Sequence, residues 1–97
     1  MYPRTDKRRI YQIIDMYLSG DIDEASFCDE FHCSYHLELD HNTLTKDEYD
    51  ELLGLGEIAG RFSEFEEDHK KYPGVYYTKE ELRKKIVETK KKLSRIH

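Results

Sequence analysis

The sequence predicts an all-α fold, a compact antiparallel four-helix bundle in which residues 1–97 form a single helical-bundle domain. Apolar residues recur at three- and four-residue intervals in four separate segments. Two of those segments open on a capping box, Thr45-Lys46-Asp47-Glu48 and Thr78-Lys79-Glu80-Glu81, in which threonine and glutamate each satisfy the other's backbone N–H. No alternation of apolar and polar residues is long enough for a useful strand, and short connections between amphipathic helices favour antiparallel neighbours.

The first helix carries Ile10, Ile13, Ile14, Tyr17 and Leu18 on one stripe, and Gly20 is its expected stop. Its start is placed at Thr5, where Arg8 occupies the glutamate position of the box. The second helix opens at Asp23 as N-cap, with Ser26 in the glutamate position, and its stripe is Phe27, Phe31, Ser34, Tyr35 and Leu39. The third opens at Thr45, stapled by Leu44 and Tyr49, with the stripe Tyr49, Leu52, Leu53, Gly56, Ala59 and Phe62. Gly54, Gly56 and Gly60 lie inside it, each costing about 1 kcal/mol relative to alanine unless it admits a close neighbour or a kink. Residues 66–77, containing Pro73-Gly74, are expected to be the longest loop. The fourth helix opens at Thr78, stapled by Tyr77 and Leu82, with the stripe Leu82, Ile86, Thr89, Leu93 and Ile96.

The chain has 97 residues, of which 37% are hydrophobic and 12% aromatic, enough for one core and too many aromatics for a disordered segment. Purely apolar runs reach only two or three residues, as at Val75 to Tyr77, so no membrane span is expected. The charged start, Met1 to Arg9, lacks the apolar segment of a secretory signal. Cys28 and Cys33 point about 140° apart on a helix, which disfavours a bond between them. A reducing, cytoplasmic setting fits that reading.

Charge is sorted along the chain. Residues 15–68 hold 17 Asp or Glu against only Lys46 and Arg61. Residues 69–97 hold ten Lys or Arg against Glu80, Glu81 and Glu88, and the first 14 residues are also basic, so the net −5 conceals two opposed fields. An acidic surface of this kind repels nucleic acid and membranes and attracts a protein whose surface is basic.

Three stretches carry a family likeness: Tyr17-Leu18-Ser19-Gly20-Asp21-Ile22 leading to Phe27; Ile58-Ala59-Gly60-Arg61-Phe62 followed by acids; and Glu81-Leu82-Arg83 opening the last helix. On these the chain, from about Ile13 to Leu93, resembles the colicin D immunity proteins, also described as self-protective colicin-like immunity proteins. The resemblance implies a small cytoplasmic four-helix bundle that protects a bacterium from a nuclease toxin. It implies binding to the toxin's C-terminal nuclease domain, with carboxylates standing where transfer-RNA phosphates would lie. A cleft that holds a polyanion is basic, so an acidic protein of the right shape occupies it as a decoy. The family places acids around the end of the third helix and the loop after it. That marks Glu64, Glu66, Glu67 and Asp68 here as partner-facing carboxylates, with Asp47, Asp50, Glu51 and Glu57 as a second set. Gly60 stands where the colicin D relative has an acid. Phe65 reads either as an aromatic anchor in a partner pocket or as a residue packed under its own loop. Delivery by a colicin or by contact-dependent inhibition serves the reading equally.

Cys28, His32, His36 and Asp40 recur every four residues along one ridge, but the outer pair stand about 18 Å apart and cannot share an ion. A site of two or three ligands completed elsewhere stays open, but the ridge reads more simply as the polar flank beside Phe27, Phe31 and Tyr35, and neither a metal nor a cofactor is expected. No nucleophile elbow, phosphate loop or metalloprotease helix is present in the sequence, so no enzyme is expected. The alternative of another class is a small nucleic-acid-binding or regulatory protein using Lys79, Arg83, Lys84, Lys85, Lys90, Lys91, Lys92 and Arg95. A third is an acidic adaptor or self-associating bundle.

Overall fold

Ile10, Ile13, Ile14 and Tyr17 share one side of a helix, and the computed structural model buries all four on α1, Arg8–Leu18. The structure describes residues 2–63 and 65–96, with the side chain of Ile96 outside that description. Glu64, one of the acidic candidates, thus lies outside the described residues. The remaining helices are α2, Glu24–Phe31, α3, Lys46–Gly60, α4, Glu66–Lys71, and α5, Lys79–Ile96. A π-helical segment, His32–Glu38, continues α2, and a 3-10 turn, His41–Thr43, leads into α3. Among the described residues there is no strand, only one isolated parallel backbone bridge between Phe62 and Tyr77. The fold is therefore helical, with five α-helices where the sequence predicts four.

Local chemistry sets most helix ends. The Asp23 carboxylate accepts the Ser26 N–H at 2.8 Å and opens α2. Thr45 and Glu48 complete their reciprocal box at 3.1 and 2.9 Å, and Thr78 and Glu81 do the same at 3.2 and 3.1 Å. At the end of α1 the Gly20 N–H donates to the Tyr17 carbonyl and the Asp21 N–H to the Met16 carbonyl. That paired closure requires a left-handed residue, which Gly20 supplies with φ +83°. Thr5 does not start α1, which begins at Arg8. The Asp6 carboxylate takes the Arg8 N–H at 2.9 Å and its guanidinium as well, so an aspartate next door does the work expected of the threonine.

The core collects Ile10, Ile13, Ile14 and Tyr17 from α1, Phe27 and Phe31 from α2, and Tyr35 and Leu39 beyond it. It is completed by Leu52, Leu55 and Ala59 from α3 and Leu82, Ile86 and Leu93 from α5. Rings meet in sequence through it: Tyr17 to Phe27 tilted at 5.6 Å, then Phe27 to Phe31 at 5.7 Å and Phe31 to Tyr35 at 5.1 Å, both stacked. Such pairs add about 0.5–1.5 kcal/mol each beyond the area they bury. The α3 stripe differs from expectation. Tyr49 and Leu53 are 40% and 42% exposed, while Leu55 is fully buried. The buried side is Glu48, Leu52, Leu55, Gly56 and Ala59, because Glu48 turns inward to bonds that satisfy its charge. Phe62 lies past the end of α3, half-buried against the core.

The expected loop over residues 66–77 also differs, since Glu66–Lys71 is helical. Its first turn holds Glu66, Glu67 and Asp68 and its last holds His69, Lys70 and Lys71, so both ends complement the helix dipole. No residue of this helix is buried, which is why apolar spacing gives no sign of it. Cys28 and Cys33 are both free thiols, as their angular separation predicts. No helix among the described residues is long and apolar enough to cross a membrane.

Candidate protein-binding surface

The inward turn of Glu48, held by Lys7 and Tyr11 as well as by Thr45, sets the rotation of α3. With Glu48 inward, Asp47, Asp50 and Glu57 point outward and are exposed. They extend along roughly 15 Å of helix at 1.5 Å per residue. Among the described residues none of the three has an ion-pair or hydrogen-bond partner for its carboxylate. Glu51 is half-buried and lies 3.7 Å from Lys92 on α5, so it serves the body of the protein more than its surface.

The second acidic group stands on α4. Glu67 is exposed and unpaired, and Glu66 lies 3.7 Å from Lys70, an exposed i,i+4 pair whose contribution is small. Asp68 is committed inward. Its carboxylate accepts from the Ser63 hydroxyl at 2.5 Å, while the same oxygen of Ser63 accepts the Phe65 N–H at 3.2 Å. His69 closes the turn with Nε2 at 2.9 Å from the Ser63 carbonyl. Asp68, which the sequence reading assigns to a partner, thus also shapes the loop. Phe65 is 63% exposed, so it does not pack beneath its loop. With Phe62, Asp68 and Tyr76 it lines an open groove of about 280 Å³ that reaches Cys28 and Asp29 on α2.

The structure therefore separates the candidate carboxylates by use. Asp47, Asp50, Glu57, Glu66 and Glu67 face solvent, whereas Glu51 and Asp68 have internal partners. The loop carrying Phe65 and α4 leaves from the Glu57 end of α3, and its two ends are held together. The Tyr77 N–H donates to the Arg61 carbonyl at 2.8 Å and the Ser63 N–H to the Tyr77 carbonyl at 3.2 Å.

The basic helix is partly spent on the same body. Lys90 pairs with Asp15 of α1 at 2.7 Å, Lys85 with Glu88 at 3.5 Å, and Lys92 with Glu88 at 3.1 Å as well as with Glu51. Lys79, Arg83, Lys84, Lys91 and Arg95 remain exposed.

Two groups go beyond what the sequence reading assigns them. Glu48, expected only as a cap, is 0% exposed and joins three elements. It accepts from Lys7 Nζ at 3.0 Å, from the Tyr11 hydroxyl at 2.5 Å and from the Thr45 N–H at 2.9 Å. Burial pushes its carboxyl up, but the Thr45, Tyr11 and Lys7 bonds together outweigh that and hold it at about 2. Burial first, and then the bond to Glu48, keeps the Tyr11 phenol protonated far above the ordinary range. The other is an imidazole group: Tyr35 stacks on His41 at 4.6 Å, and His36 lies 5.0 Å from Tyr35 and 5.3 Å from His32. The four-residue spacing of His32 and His36 is the signal that marks it. No protein-family model, curated protein or solved structure matches this chain.

Proposed function

We propose that this chain is an immunity-type inhibitor that binds and neutralises a bacterial nuclease toxin, most simply a transfer-RNA-cleaving one, by occupying its basic active-site cleft. The observation that carries the reading is the set of exposed carboxylates without internal partners among the described residues, Asp47, Asp50 and Glu57 along α3 and Glu67 on α4, with an exposed Phe65 between the two helices. Unpaired charge costs self-repulsion in the free protein, and a basic partner relieves it. The likeness of the helix-boundary motifs to the colicin D immunity family supports the same reading, with the longer helices arranged as an antiparallel four-helix bundle. Inhibition is by occlusion: the carboxylates meet Lys and Arg side chains that otherwise hold phosphates, and Phe65 supplies the apolar contact between them. The protein itself carries out no reaction, needs no cofactor, binds neither nucleic acid nor membrane, and works in the cytoplasm that the toxin enters. Charge complementarity of this kind speeds encounter and selects partners more than it sets final affinity.

The test begins with capture of the bound protein from the source cells and its identification as a nuclease domain. Reversal of Asp47, Asp50, Glu57 and Glu67 to Lys is then expected to slow association and weaken protection while helicity is retained. Reversal of Glu51 and Asp68 disturbs the fold instead. Full protection by the quadruple variant overturns the assignment of the surface. A complex of this chain with generic RNA at low salt overturns the function in favour of the basic helix.

A further inference from the structure

We propose that His32 and His36 form an exposed two-imidazole site for a borderline transition-metal ion such as Zn²⁺ or Cu²⁺, open to further ligands from water or from another molecule. The two residues stand four positions apart in the π-helical segment and both are exposed. Their ring centroids are 5.3 Å apart and their planes are tilted by 41°. An imidazole nitrogen binds zinc at about 2.0–2.1 Å and the ring centre lies about 1.1 Å further out. Two rings on one ion therefore stand about 4.5 Å apart for a right angle between the bonds and about 5.2 Å for a tetrahedral one. The observed spacing falls at the tetrahedral end, so an ion is shared with little movement of the backbone.

His36 is held for this by its surroundings. Its ring meets Phe31 edge-on at 6.3 Å and Tyr35 at 5.0 Å. Its Nε2–Cε1 edge rests against α3 at Gly56, with 3.5 Å between Nε2 and the place a Cβ would take. That leaves Nδ1 as the ligand nitrogen. Desolvation, followed by the His32 and His41 charges, pushes the ring below the ordinary histidine value. His41 and His69 each have a ring nitrogen committed to a backbone carbonyl.

The other members of the ridge drop out. Burial, then Asp29 and Glu24, push the Cys28 thiol up to about 12, so it supplies no thiolate. Among the described residues no group of three or more His, Cys, Asp or Glu could hold an ion. The site is thus a two-ligand one, unlike the four-ligand closure of a structural zinc centre. It stands independently of whether the acidic face meets a nuclease.

Titration of the full chain with ZnCl₂ and with CuCl₂ at pH 7.5, followed by calorimetry, reads the stoichiometry and affinity. One equivalent bound in the micromolar range is expected, weakening as the pH is lowered because protons compete with the metal for imidazole nitrogen. His32→Gln and His36→Gln should each weaken binding at least about tenfold with unchanged circular dichroism. Imidazole ¹⁵N shifts on adding Zn²⁺ to the unaltered protein should be confined to His32 and His36. Millimolar affinity, shifts centred on His41 or His69, or undiminished binding by either variant would each overturn the proposal, the last two by placing the ion elsewhere.

Discussion

Replacing Glu48 with Gln keeps the shape of the side chain and removes its charge. The carboxylate is buried, and it holds Lys7 at the start of the chain, Tyr11 on α1 and the first backbone N–H of α3. Its folded-state value lies at about 2 against an ordinary 4.5. At 1.36 kcal/mol per unit, the charged form therefore contributes about 3 kcal/mol to folding at neutral pH. The sign follows from a depressed acid: the contribution is complete above the unfolded-state value and is lost as pH falls towards 2. At pH 3 about 2 of those 3 kcal/mol are gone. Urea unfolding followed by circular dichroism at pH 7 and pH 3 measures this directly. The unaltered protein should lose that stability across the interval, whereas Glu48→Gln should begin about 3 kcal/mol lower at pH 7 and change less on acidification. For a small domain with about 5–15 kcal/mol in total, the difference is large. A variant within about 1 kcal/mol of the parent at pH 7, or a gap between the two proteins that is the same at both pH values, refutes the assignment of Glu48 as a charged internal tie.

Two further outcomes test the rotation of α3. Leu55→Ala should cost about 2–5 kcal/mol in urea unfolding, whereas Leu53→Ala, at a position 42% exposed, should cost well under half of that. Equal losses at the two positions would mean that the helix faces the core differently. Gly54→Ala should stabilise by up to about 1 kcal/mol in the same measurement, because the added methyl would meet only the flexible end of Lys85, whose Nζ lies 3.4 Å away. A loss of stability there would show that the helices approach more closely.

The parts of this fold that could be read in the sequence are those written in local chemistry. Thr45, Thr78, Asp23 and Gly20 act within three or four residues of themselves, so their roles survive whatever the rest of the chain does. The phase of α3 depends on a long-range fact. Glu48 looks polar and outward until Lys7 and Tyr11, 41 and 37 residues distant, supply its partners. Once Glu48 turns in, Leu55 follows it and Leu53 is left outside. The widened turn after α2 leaves no trace in the spacing, since Phe31, Ser34, Tyr35 and Leu39 suit either helical period. The exposed acids are visible as composition, but their division into free and engaged members is not. Asp68 differs from Glu67 only through Ser63, and Glu51 from Asp50 only through Lys92.

The bridge between Phe62 and Tyr77 makes residues 63–76 a closed excursion rather than a through-route. Everything α4 displays is anchored at a single point on the body. The entropic cost of lengthening such a loop rises by only about 0.6 kcal/mol per doubling. Insertions and exchanges inside it therefore leave the buried interior untouched. This one appendage can therefore be redrawn while the scaffold is kept, which makes the excursion the part of the chain most open to exchange.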